Sequence, residues 1–306
     1  MYKLKYIFYK ILFHVLLRLP DLFYTILFAV FFPIYKALHK KRAYGRVEQH
    51  LELAREYVVK KTIEKNTNSP NNTPLLHTSA KDVFRGIFWN ALDSYRGLAR
   101  LKSTVARIDY ENEHIIRDAI AKCAVENAPI AAISIHQGAF ELLHRSLCRY
   151  SEHVHLITDS VGDTAFRDVL KELRSDPHLT EYHPDETGRL IRELFHTKGI
   201  LAMVVDQGKH TKGNTVSLFG RPSTLYLRLP KKVNDMGAGI VIFRTWSEHN
   251  RIVIRFEKYY PPKYDSFINC NTQAPLVTDI AREIENWIAD HPSEWNWNYH
   301  GNFTAD

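Results

Sequence analysis

The stretch that most restricts how this chain can fold runs from Ile130 to Tyr150. Ile130-Ala131-Ala132-Ile133-Ser134-Ile135 is a run of small and branched residues of the kind found in strands buried on both faces. His136 follows at once, Gly138 offers a turn, and from Phe140 the apolar positions Leu142, Leu143 and Leu147 predict a helix. A strand that ends in His, turns on Gly and enters a helix delivers polar side chains to the carboxyl edge of a sheet. Open α/β sheets take their ligands at that edge. His136 and Glu141 are five residues apart, so on one continuous helix they would point about 140° away from each other. Gly138 permits the bend that would let them meet. An imidazole held by a carboxylate is suited to removing a proton from a hydroxyl, and the pair His136 and Glu141 is the candidate for that chemistry.

The residues downstream extend the pattern. Val154 to Thr158 reads as a strand, Asp163 to Arg174 and Glu186 to His196 as helices, and Ile200 to Val205 as a second buried strand ending in Asp206-Gln207-Gly208. Gly239 to Trp246 and Ile252 to Tyr259 flank a turn near Glu248 to Asn250 and predict a hairpin. Thr272 to Ala289 is expected to close the fold as a helix, followed by an aromatic tail of Trp295, Trp297, Tyr299 and Phe303. Strands alternating with helices, plus a hairpin, predict an α/β fold with a mixed central sheet flanked by helices. Two further amphipathic helices, Ala80 to Leu101 and His114 to Glu126, read as structural.

The N-terminal segment sets this body apart. Ile7 to Leu19 is apolar but broken by Lys10, His14 and Arg18; after Pro20-Asp21, Leu22 to Tyr35 is a run of fourteen residues without charge. About 20 are needed to cross a bilayer as a straight helix. Residues 1–42 are therefore expected to be an N-terminal membrane-anchoring helical segment, either a marginal span or a kinked insertion into one face. Residues 43–306 form the α/β domain, with a polar loop at 66–78 inside it. The formal net charge of +7 favours an anionic partner. Lys3, Lys5, Lys10 and Arg18 precede the apolar run, and Lys36, Lys40, Lys41, Arg42 and Arg46 follow it. That placement points to an anionic membrane surface, with the body on the cytoplasmic side, and away from nucleic acid, for which no signature is present. Three widely spaced cysteines, Cys123, Cys148 and Cys270, form neither a disulfide framework nor a metal pattern. His153 and His155 alternate on a strand without a carboxylate partner and read as surface residues, so no metal is expected.

His136-Gln137-Gly138-Ala139-Phe140-Glu141 resembles the His-x-Gly-x-x-Glu box of the late lipid A biosynthesis acyltransferases, a form of the His-x4-Asp/Glu motif of glycerolipid acyltransferases. Asp206-Gln207-Gly208 is similar to the family's Asp-Gln-x-Gly-like element. Val216-Ser217-Leu218-Phe219-Gly220-Arg221-Pro222 is similar to its Phe-Phe-Gly-x-Pro segment. Arg174 lies where the family carries an Arg after its first αβ unit. The resemblance implies a glycerolipid acyltransferase-like fold in the inner membrane. It also implies transfer of a fatty acyl group from a thioester, acyl carrier protein or acyl-CoA, to a hydroxyl of lipid A or a related glycolipid, with no cofactor. On it, His136 is the general base and Glu141 its orienting carboxylate. Gly138, Arg174, Asp206, Gln207, Gly208, Phe219, Gly220 and Arg221 are then expected to bind substrate, with Asp206 in a positioning role. Thr224 to Pro230 and Tyr299 to Phe303 depart from the family's pattern, which leaves other acceptors open, such as a phospholipid or an aminolipid. A membrane lipid-binding protein that has kept the fold without catalysis is the alternative from a different class.

Overall fold

The computed structural model describes residues 2–64, 73–99, 107–158, 163–207, 212–249, 251–267 and 275–298. Helices α1 (Tyr2–Leu16) and α2 (Asp21–His39) meet at Pro20, and a π-helical turn, Lys40–Tyr44, leads into α3 (Gly45–Glu64). Helix α4 (Ala80–Ala99) follows. The α/β part then runs β1 (Ile108–Glu111), α5 (Glu113–Val125), β2 (Ile130–Ser134), α6 (Leu143–Leu147), β3 (Val154–Ile157), α7 (Thr164–Arg174), β4 (Leu179–Tyr182), α8 (Thr187–Thr197) and β5 (Ile200–Val204). It ends with β6 (Asn214–Leu218), β7 (Arg221–Leu225), α9 (Arg228–Asp235), β8 (Gly239–Glu248), β9 (Arg251–Tyr260) and α10 (Pro275–Asp290).

Seven strands form one sheet in the order β1-β9-β8-β2-β5-β3-β4, and β6 and β7 form a separate hairpin. Every pairing in the large sheet is parallel except β8 with β9, the expected hairpin. The fold is thus the expected mixed sheet flanked by helices. Its central strand β2 lies between β8 and β5 and is buried along its whole length. Because side chains alternate across a strand, β2 feeds two cores. Ala131, Ile133 and Ile135 face one that includes Leu190 and Leu194 of α8 and Ile280, Ile284 and Ile288 of α10. Ile130 and Ala132 face the other, with Ile116, Ala119 and Cys123 of α5. Each of these isoleucines contributes roughly 1.5–3 kcal/mol by leaving water.

Several local readings change. β1 (Ile-Asp-Tyr-Glu) and β4 (Leu-Thr-Glu-Tyr) are short strands interrupted by acidic residues, so they lack the apolar run that marks β3. The helix expected from Phe140 is a 3-10 turn, Phe140–Leu142, followed by the five-residue α6. His155 is not a surface residue. It is buried, with its ring nitrogens on the hydroxyls of Tyr182 (3.2 Å) and Thr197 (2.9 Å), partners that only the packing of β4 and α8 on β3 supplies. Burial pushes its pKa down to about 4, so it stays neutral. His153 is exposed, as expected.

Candidate active site

The parallel register of β2 and β5 builds the site. Ser134, the last residue of β2, pairs with Val204, the last of β5. Two residues beyond each strand stand His136 and Asp206, so the sheet brings together residues seventy apart in sequence. Asp206 Oδ1 accepts the His136 backbone N–H at 3.0 Å and its ring Nδ1–H at 2.7 Å. The imidazole side chain is 20% exposed and the carboxylate 1%, so the ring reaches the surface while its partner lies inside. An ionised carboxylate only accepts, which assigns the proton to Nδ1 and leaves Nε2 the basic lone pair. Phe140 packs edge-on against the imidazole at 4.6 Å between centroids.

A second layer holds Asp206. Trp295, buried in the segment after α10, donates its indole N–H to Asp206 Oδ2 at 3.0 Å. The same segment grips the turn after His136. Gly138 N–H bonds to Glu294 O at 3.1 Å, Gln137 bridges to Trp295, and Gln137 Nε2 donates to Trp287 O at 3.0 Å. Gly138 has φ +57°, and a Cβ there would lie 2.5 Å from Thr245 O, so the turn requires glycine on two counts. Ser134 Oγ, Gln137 Oε1 and Gln207 Nε2, close by in sequence, are buried and have no hydrogen-bond partner among the described residues.

Glu141 occupies a different place from the one expected of an orienting group. The Phe140–Leu142 turn carries it toward the end of α7, where Arg174 Nε and Nη2 clasp its two oxygens at 2.8 and 2.6 Å. Among the described residues no hydrogen bond joins Glu141 to His136. Burial pushes the Glu141 carboxyl up, but the Arg174 guanidinium more than offsets this and holds it below the usual carboxylate range. Arg174, expected to bind substrate, thus directs two donors to Glu141. His144, the next histidine, is buried and pushed down to about 3 by that burial, so it is a neutral wall.

Phe219 and Gly220 form the β6–β7 turn at φ +49° and +70°. Phe219 N–H bonds to Glu285 at 2.6 Å and its ring meets Trp297 at 5.7 Å; Trp297 in turn meets Trp295 at 5.1 Å. Phe219 is therefore linked to Trp295, the partner of Asp206, through Trp297, while Gly220 at the same turn packs against Tyr57. Gly208 lies outside the described residues. No local pattern announces the Trp295 and Gln137 contacts, because they join segments far apart in sequence; the aromatic tail containing Trp295 is the one sequence feature at that end of them.

The fold and this edge define a class: a mostly parallel α/β protein with a histidine–aspartate pair at adjacent strand ends. The family model for bacterial lipid A biosynthesis acyltransferases matches residues 98–300, which contain all of these residues. The chain belongs to that family and is an acyltransferase of lipid A biosynthesis. No curated relative matches it.

Proposed function

We propose that the protein moves a fatty acyl group from an acyl thioester, held by acyl carrier protein, to a hydroxyl of lipid A or a related glycolipid at the cytoplasmic leaflet of the inner membrane. Residues 1–42 attach it to the membrane and residues 43–306 carry the chemistry. The pairing of His136 with Asp206 at the carboxyl edge carries this reading. His136 Nε2 takes the acceptor's hydroxyl proton as the oxygen attacks the thioester carbonyl. The C–O bond forms, the C–S bond breaks, and the proton passes from the imidazolium to the departing thiolate. Asp206 keeps the proton on Nδ1 and stabilises the imidazolium between these steps. Glu141 and Arg174 hold the turn that carries His136 and Phe140. The net charge of +7 favours an acidic donor protein and an anionic lipid surface alike.

The test is acyl transfer from radiolabelled acyl carrier protein to lipid A precursors, phospholipids and aminolipids by purified full-length protein. Transfer to the glycolipid is expected, with His136→Ala slower by at least about a hundredfold. Equal rates for the two proteins defeat the assignment of His136. Folded protein without transfer to any acceptor favours the lipid-binding alternative.

A further inference from the structure

We infer that the protein is monotopic: α2 lies in the plane of one leaflet of an anionic bilayer, with its outward face immersed and no segment of α2 crossing. Composition alone is compatible with crossing, because Asp21–His39 is long and apolar enough to span. The packing argues otherwise. The inward face of α2 runs antiparallel along α4 from end to end. Asp21 pairs with Arg96, Tyr24 meets Trp89 and Phe88, Phe28 meets Phe88, and Phe32 and Tyr35 meet Phe84. Helix α4 is itself fixed to the body. Asn90 Nδ2 donates to Glu294 O, and a side chain at Gly86 would collide with Ser293 O. A perpendicular α2 would drag α4 into hydrocarbon with Asp82, Arg85, Asp93 and Arg96. Charged groups cost about 2.5–3.5 kcal/mol each at a bilayer centre.

The opposite face of α2 states what covers it. Leu22, Phe23, Ile26, Val30 and Ile34 are exposed, and no charged residue interrupts them. Basic groups stand at both ends: Arg18 before the helix, and Lys40, Arg42 and Arg46 after it, are exposed, and none has a carboxylate partner among the described residues. Helix α1 repeats the design. Leu4, Ile7, Phe8, Ile11 and Val15 form an exposed stripe at three- and four-residue spacing. Its other side is tied to α7 by Lys5–Asp163 (2.6 Å), Lys10–Glu172 (2.8 Å) and the Tyr9–Phe166 contact. An apolar stripe edged by cations that have no carboxylate partner among the described residues, on helices fastened sideways to the α/β body, fits anionic headgroups above acyl chains. This inference stands independently of the acyl-transfer reading.

The test uses full-length protein bound to vesicles of phosphatidylethanolamine and phosphatidylglycerol. A nitroxide is attached through a genetically encoded keto amino acid at Leu22, Ile26, Val30 or Ile34 in turn, which leaves the cysteines untouched. Its depth is read by power-saturation electron paramagnetic resonance. All four labels are expected at one shallow depth, within about 5–10 Å of the headgroup boundary. A depth that deepens toward about 15 Å near Val30 and becomes shallow again at Leu22 marks a span and overturns the inference. Labels that stay in water at every position overturn it as well. A paired variant, Ile26→Glu with Val30→Glu, changes two side chains that are each 55% exposed, so the fold is retained. It is expected to co-sediment with vesicles about tenfold less, and unchanged sedimentation refutes the immersed face.

Discussion

Asp206 Oδ1 receives two hydrogen bonds from His136, one from the backbone N–H at 3.0 Å and one from Nδ1 at 2.7 Å. The carboxylate thus fixes both the chain entering the turn and the rotation of the ring. This is possible because β2 and β5 are adjacent and parallel in the register that aligns Ser134 with Val204. Both side chains project from the same edge at the same height.

Asp206→Asn tests that role. The amide still fits, but it presents an N–H or an oxygen to Nδ1 and no longer stabilises an imidazolium. Acyl transfer is expected to fall at least about a hundredfold in kcat with little change in KM. A rate within a factor of a few of wild type at matched folding shows that Asp206 is only a structural partner.

Glu141→Gln addresses the other carboxylate. It leaves the Arg174 guanidinium buried without its counter-charge, which costs about 3–5 kcal/mol for a buried pair. Urea unfolding should register the loss, and Glu141→Leu combined with Arg174→Met should recover much of it. Because the native Glu141 pKa is depressed, its stabilisation is present above the ordinary carboxylate range. It is lost as pH falls through the native value. A Glu141→Gln protein as stable as wild type removes the ion pair from the account.

Trp295→Phe keeps an aromatic ring in place but deletes the indole donor to Asp206 Oδ2. A hydrogen bond to a charged group contributes about 1.5–3 kcal/mol. The variant should lose roughly tenfold in kcat, and the low-pH limb of its pH–rate profile should move. An unmoved profile with only a lower Tm limits Trp295 to packing.

Glu294 offers a pH test of stability. Its carboxyl is buried, and that burial, reinforced by nearby Asp93, outweighs the Ser247 and Asn90 hydrogen bonds that favour the ionised form and raises its pKa to about 7. The native state therefore holds this proton more tightly than the unfolded chain, whose carboxyl titrates near 4.5. Stability is highest below that value and declines as pH rises through about 7, by up to about 3 kcal/mol. Glu294→Gln should flatten that decline in Tm measured from pH 5 to 8; an identical slope refutes the buried proton.

The sequence by itself determined the elements with strong local signals. The buried runs at Ile130 and Ile200, the hairpin β8–β9 and helix α10 all read from periodicity, since each element needs its own apolar pattern to be buried. It also determined which residues to watch: His136, Asp206, Glu141 and Arg174. It did not determine their pairing. His136 and Glu141 look like partners because they are near in the chain, but a 3-10 turn aims Glu141 at Arg174, thirty-three residues away. Only the parallel register of two strands, and a tryptophan returning from beyond α10, decide that Asp206 faces the imidazole. The N-terminal segment divides in the same way. Its apolarity is composition, but the direction it lies is set by aromatic contacts along α4, because lateral packing of two helices is a property of both and of neither sequence alone.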